Sequence, residues 1–199
     1  AAIIKANDLA AELDVDASFI CCDVYSLPHV LDEKFDIVFT SYGTIGWLPD
    51  MGKWAEVVAH FMKPGGSFIF AEFHPVVWMF DNDLKYVQYS YFKAEPIMET
   101  ESGTYADREN EKQFSTMTWN HGIGEVFMSL RKQGLNIEVL KEYDYSPYNC
   151  LANMVETGPD EYRVAHLNGL IRLVYALNAS KPDESLYRKP PGKDNSQGW

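Results

Sequence analysis

Apolar positions in the first thirteen residues recur every three or four: Ile3, Ala6, Leu9, Ala10 and Leu13 share one face of an expected helix over 1–13. SFICC (18–22) is short, apolar and β-prone, and it reads as a buried strand ending before Asp23. FDIVFT (35–40) is nearly all apolar, as expected of a parallel strand covered on both faces. A helix over 50–62 follows, with Trp54, Val57, Val58, Phe61 and Met62 on one side and Asp50 placed to cap it. Lys63-Pro64-Gly65-Gly66 should stop that helix, and SFIFAEF (67–73) reads as a third buried strand. Helix and strand alternate here, so the fold class is α/β, with a parallel sheet wrapped by helices.

The alternation breaks over 81–119, which is polar and aromatic by turns. YVQYSYF (86–92) is strand-like there, and TYADRENEKQF (104–114) reads as a turn-rich hairpin. The stretch is taken as an insertion covering the carboxyl edge of the sheet. A helix over 122–132, a strand over 136–143, a long loop over 144–160 and a last strand over 170–178 complete the pattern. The expected organisation is a core over 1–80, an inserted cap over 81–119, a return to the core over 120–180, and a tail over 181–199.

The chain has 199 residues, 46% of them hydrophobic, enough to bury a core. Its net charge of −12 would repel a phosphate backbone, so nucleic acid is excluded as a main partner. No apolar run reaches the roughly 20 residues that span a bilayer, and no signal peptide is visible, so no membrane partner and a cytoplasmic location are expected. Cys21, Cys22 and Cys150 have neither CxxC nor zinc spacing, which points to reduced thiols and no metal. Nothing in the sequence points to an oligomeric state.

The segments FICCDVYSLP (19–28), FDIVFTSYGTIGWLPD (35–50) and MKPGGSFIFAEFHP (62–75), in this order, resemble the small-molecule branch of the class I S-adenosylmethionine-dependent methyltransferases. Trp119-Asn120-His121, Glu142-Tyr143-Asp144 and a closing strand near Lys181-Pro182 extend the resemblance along the chain. It implies a Rossmann-like sheet of parallel strands with an antiparallel final strand, an aromatic-rich cap, S-adenosyl-L-methionine as cofactor and a small-molecule acceptor. The family's Gly-rich loop, D/E-x-G-x-G-x-G, is not in this sequence, and neither is the acidic residue closing the family's second strand. The chain also starts at Ala1 inside a helical pattern, so a further N-terminal segment carrying the family's first two strands is expected.

By that resemblance, the Asp23 carboxylate accepts from the adenine amino group and the Val24 backbone meets the ring edge, with Cys22 and Tyr25 near it by position. The plainer role for Asp23 is a helix cap. Thr40, Ser41 and Tyr42 face the methionine part of the donor, where an aromatic ring attracts a sulfonium by its π-face. His74 is the first candidate for a base and His121 the second, though His121 could equally cap the next helix. Glu72 faces either the core with a partner or the pocket. Trp47 reads as an anchor under its loop. Tyr89, Tyr91, Tyr105 and Trp119 form a lid, a small core of their own, or both. Arg163 and Arg172 read as ion-pair members. The competing functions are a non-catalytic, cofactor-binding or regulatory member of the fold, and a nicotinamide-dependent dehydrogenase.

Overall fold

A computed structural model describes residues 2–93, 95–102 and 113–183. The chain divides into two compact units, Ala1–Glu33 and Lys34–Trp199. Tyr105, the centre of the expected 104–114 hairpin and nearly all of the expected tail lie outside the described residues.

The first unit holds helix α1 (Ala2–Glu12), none of whose residues is buried. It ends in a left-handed cap: Asp14 has φ 52°, and the Val15 N–H reaches back to the Ala10 carbonyl at 2.9 Å. Asp tolerates this conformation better than a branched residue would. SFICC (18–22) forms no strand, and both Cys21 and Cys22 are exposed, which corrects the reading of a buried strand there. An extended run of five residues needs a neighbouring strand to take up its N–H and C=O groups, and it pairs with none among the described residues. A run's own composition cannot reveal that lack. A 3-10 turn over Val24–His29 follows, begun by Asp23.

The second unit is built on a four-stranded sheet of β1 (Phe35–Ser41), β2 (Met62–Phe73), β5 (Asn136–Tyr143) and β8 (Val174–Ser180), in the spatial order β1-β2-β8-β5. β1 and β2 are parallel, and β8 lies antiparallel between β2 and β5. This is the expected α/β sheet with an antiparallel final strand. Helix α2 (Met51–Phe61) joins β1 to β2 and covers one face, with Trp54 in contact with the Phe68 and Phe70 rings at 5.7 and 5.5 Å. Burying each such ring stabilises the fold by about 1.5–3 kcal/mol. Asp50 caps α2 as expected, accepting from the Lys53 N–H at 3.0 Å. Helix α3 (Ile123–Lys132) packs beside α2, and its N-cap is Gly122.

Several details differ from what the sequence predicts. The KPGG segment does not precede β2 but belongs to it, and Gly66 passes so close to β1 that a Cβ there would lie 3.1 Å from the Asp36 carbonyl oxygen. Lys181 then ties the segment to the end of the sheet: its N–H donates to the Gly66 carbonyl, and its Nζ holds the Ala59 carbonyl at 2.7 Å. β1 is not covered on both faces. Ile37 is 60% and Phe39 61% exposed, while Val38 and Thr40 sit in register with the buried Phe68 and Phe70. A run apolar at every position reads as doubly covered because composition carries no record of which neighbours are present.

Residues 81–119, expected as an inserted cap, contain the antiparallel pair β3 (Ile97–Ser102) and β4 (Gln113–Thr118). YVQYSYF is not a strand and makes one isolated bridge, Phe80 to Val87. The 144–160 loop also hides part of a second hairpin, β6 (Met154–Gly158) with β7 (Glu161–Val164). Arg163 braces it, with Nε and Nη2 each 3.1 Å from an Asp144 oxygen and Nη1 3.0 Å from Glu161. The last strand starts at Val174, four residues later than the pattern suggests. No helix of the described residues is long and apolar enough to cross a membrane, and they contain no cluster of metal-ligating side chains.

Candidate active site

Parallel strands β1 and β2 both end at one edge of the sheet, where open α/β folds bind ligands. The loop after β1 (41–47) must turn sharply there. Gly43 takes φ +74°, a conformation costly for any residue with a Cβ. Thr44 Oγ1 donates to the Ser41 carbonyl and closes the turn.

One side chain holds this loop. Glu72, the penultimate residue of β2, is 2% exposed, and its carboxylate accepts four backbone N–H groups. Oε1 takes those of Gly43 and Phe73; Oε2 takes those of Thr44 at 2.8 Å and Ile45 at 3.1 Å. A buried carboxylate is costly unless its lone pairs are filled, and here four donors fill them. The alternatives left open by the sequence are both realised, because Glu72 is buried with partners and also borders a cavity.

The cavity has a volume of about 410 Å³, within the range of small-molecule sites. Its floor is aromatic. Tyr42 lies 5.9 Å from the Phe73 ring and 5.9 Å, edge-on, from Tyr148, and Trp78 meets Phe73 at 5.6 Å. Behind the floor a buried cluster of Phe73, Val77, Leu84, Val164, Leu173 and Val174 anchors the inserted segment to the sheet. The β3–β4 hairpin makes a wall. Ile97 and Glu99 pair with Thr118 and Thr116, and all four border the cavity, while Met98 and Met117 on the other face are exposed. The Trp119 N–H donates to the Gly46 carbonyl at 2.9 Å, fastening the end of this wall to the 41–47 loop.

Of the residues expected at the site, Thr40, Ser41 and Tyr42 lie together at the end of β1, all half-buried, and Tyr42 borders the cavity. Burial, then the neighbouring Tyr143 and Tyr145, pushes the Tyr42 phenol above its ordinary value, so it is neutral. Cys22, Asp23, Val24 and Tyr25 belong to the first unit. There Asp23 is the cap of the 3-10 turn: Oδ1 accepts the N–H groups of Tyr25 at 2.9 Å and Ser26 at 3.2 Å.

His74 and His121 do not line the cavity among its described residues. The His74 Nδ1 accepts the Val76 N–H at 3.1 Å, so Nε2 carries the proton and faces Glu142 at 2.8 Å. Burial lowers the His74 pKa, against the opposing pull of Glu142. The His121 side chain is fully buried. Its Nε2 faces the Leu48 carbonyl at 2.8 Å and its Nδ1 faces Glu125 at 3.0 Å. Neither ring presents a lone pair to the cavity in this arrangement, and His121 is not the cap of α3.

Trp47 is 54% exposed and borders the cavity rather than anchoring its loop from beneath. Tyr89 and Trp119 line the cavity, whereas Tyr91 packs against Gly122 at the start of α3. Glu99, Thr116, Trp78 and Tyr148 escaped the sequence reading as site residues. Nothing local marks them: IMET (97–100) and STMT (115–118) do not alternate apolar with polar residues.

Known proteins resemble this chain in fold. Residues 1–70 match the family described as Methyltransferase domain. An S-adenosylmethionine-dependent methyltransferase from Clostridium acetobutylicum ATCC 824 superposes with a TM-score of 0.54 at 16% identity, over 90% of this chain and 70% of that one. A Listeria monocytogenes protein described with the same activity superposes with a TM-score of 0.53 at 15% identity, over 86% of this chain and 73% of its own. No curated protein matches the chain in sequence. With its matched N-terminal 70 residues and its sheet of parallel strands closed by an antiparallel one, this chain has the fold of the class I S-adenosylmethionine-dependent methyltransferases.

Proposed function

We propose that the protein transfers a methyl group from S-adenosyl-L-methionine to a small-molecule acceptor. The observation that carries this reading is the Glu72-pinned loop, which sets Tyr42 and the strand-end backbone against an aromatic cavity at the carboxyl edge of two parallel strands. The residues present fit the donor. The half-buried Tyr42 ring borders the cavity and suits a sulfonium. Thr40 and Ser41, at the end of β1, would stand near the methionine part.

The donor supplies a methyl group already activated by the positive sulfur. The chain's own residues therefore have to orient the partners and exclude water. Glu72 fixes the loop backbone, the aromatic floor keeps the site dry, and the hairpin wall limits what enters. His74 and His121 are assigned positioning roles: His74 links the end of β2 to β5 through Glu142, and His121 links the start of α3 to the 41–47 loop's far end at Leu48.

Titration calorimetry with S-adenosyl-L-methionine, S-adenosylhomocysteine and a nicotinamide dinucleotide tests the donor. Incubation with methyl-labelled donor and a small-molecule extract then tests transfer. Binding of the sulfonium donor with label passing to a small molecule is expected. Binding without transfer would instead identify a non-catalytic member of the fold, and preference for the dinucleotide would identify a dehydrogenase.

A further inference from the structure

The cavity's charged lining is one-sided. Among its described residues there is no Lys, Arg or His, and the two acidic ones have different roles. The Glu72 carboxylate is consumed by four N–H groups. Glu99 is not. Its Oε1 accepts the Tyr89 hydroxyl at 2.8 Å, and the Tyr89 oxygen in turn accepts the Gln88 amide at 2.8 Å. Its Oε2 has no partner among the described residues.

This chain of bonds fixes which oxygen of Glu99 is occupied. The phenol donates, so Glu99 Oε1 is an acceptor, and Gln88 occupies a lone pair on the phenol oxygen. Burial first, and the carboxylate second, push the Tyr89 phenol above its ordinary value, so the proton stays on the phenol. Glu99 thus sits half-buried on the wall with one oxygen held and the other unsatisfied. Lining the same cavity are Trp47, Trp78, Trp119 and Tyr148. Aromatic faces carry partial negative charge and attract cations, while an anion would meet only repulsion here. A neutral apolar molecule would strip water from the free Glu99 oxygen without replacing its hydrogen bonds.

We propose that this cavity binds an organic ammonium group, with Glu99 as its counter-charge and the surrounding aromatic rings as its cage. The inference rests on reading the cavity as the acceptor side of the site: the acceptor is an amine on a compact apolar body, bound as its ammonium, which gives one proton to the open Glu99 oxygen before its lone pair takes the methyl and the methyl–sulfur bond breaks. Glu99 comes from an inserted hairpin rather than from the sheet, so the specificity belongs to the insertion.

Choline and its uncharged carbon isostere 3,3-dimethylbutan-1-ol are matched probes, differing in charge and not in shape. Quenching of the fluorescence of Trp47, Trp78 and Trp119, checked by calorimetry, reads their binding to the full chain. Choline is expected to bind at least about tenfold tighter than the isostere. Glu99→Gln should cut that preference at least about threefold, to what the rings alone supply, while leaving the isostere's binding within about twofold. Thr116→Lys is a second variant: it leaves Glu99 in place but sets an ammonium on the residue paired with it, and it should abolish choline binding. Unchanged circular dichroism and melting certify the fold of each variant. Equal binding of the two probes, binding of neither, or a preference undiminished by both substitutions overturns the proposal. Saturating S-adenosylhomocysteine should leave choline binding in place; competition would move the cation to the donor's position and also overturn it. Failure of the methyl-transfer reading is separately visible, because choline preference without any labelled transfer would refute that reading and not this one, and transfer confined to uncharged acceptors would do the reverse.

Discussion

Replacing Glu72 by Gln removes one oxygen and one charge without changing size. Each carboxylate oxygen accepts two backbone N–H groups. In either orientation, the new NH2 therefore faces two donors and bonds with neither. Two charge-assisted bonds are lost, each contributing about 1.5–3 kcal/mol when the acceptor is ionised. If the NH2 faces Gly43 and Phe73, the partly exposed Gly43 N–H recovers a water while the buried Phe73 N–H does not. If it faces Thr44 and Ile45, the buried one is Ile45. One bond fully lost and one partly recovered gives a destabilisation of about 3 kcal/mol. In a chain of this size that corresponds to a melting shift of roughly 6–12 °C. Urea unfolding followed by far-UV circular dichroism measures it, and amide exchange at Gly43, Thr44 and Ile45 should quicken by more than about tenfold. A Glu72→Gln variant within about 0.5 kcal/mol of the wild type, with those amides still protected, would show that the loop stands without the carboxylate. Glu72 would then not be what holds Tyr42 against the cavity.

Further outcomes follow from other contacts. Gly43→Ala puts a Cβ only in ordinary contact with the Phe73 ring, at 3.8 Å, so the cost is the backbone's: about 1–2 kcal/mol in urea unfolding, with weaker donor binding. Asp50→Ala removes the cap of α2 and should destabilise by about 1 kcal/mol, read as a lower melting point with ligand affinity unchanged. Burial holds the His74 ring below its ordinary 6.5, so below that pH the unfolded chain binds the extra proton and stability falls as pH drops. Urea midpoints should decline from about pH 8 to about pH 5.5, and less steeply in His74→Gln. A wild-type midpoint that rises on acidification contradicts the buried neutral ring.

Local pattern was enough for what depends on local pattern. α2 and its Asp50 cap, α3, β5 and the strands at FDIVFT and SFIFAEF come from apolar spacing and stop residues, which act within a few positions of the chain. The α/β class follows from their alternation, and Tyr42's place at a strand end follows from where FDIVFT stops. SFICC failed for the same reason that SFIFAEF succeeded: a strand exists only if another lies beside it, and neighbours are a property of the sheet. The β6–β7 hairpin was hidden because four- and five-residue strands with mixed composition carry little periodicity, and it persists through Arg163 bridging residues 19 apart. The site was least legible of all. Glu72 looked like an odd charge in an apolar strand until the 41–47 loop came within reach of it, and Glu99 looked like one of many acids until the hairpin turned it toward the rings. A carboxylate's role is set by which donors and dipoles surround it, and those arrive from parts of the chain that only tertiary packing brings together.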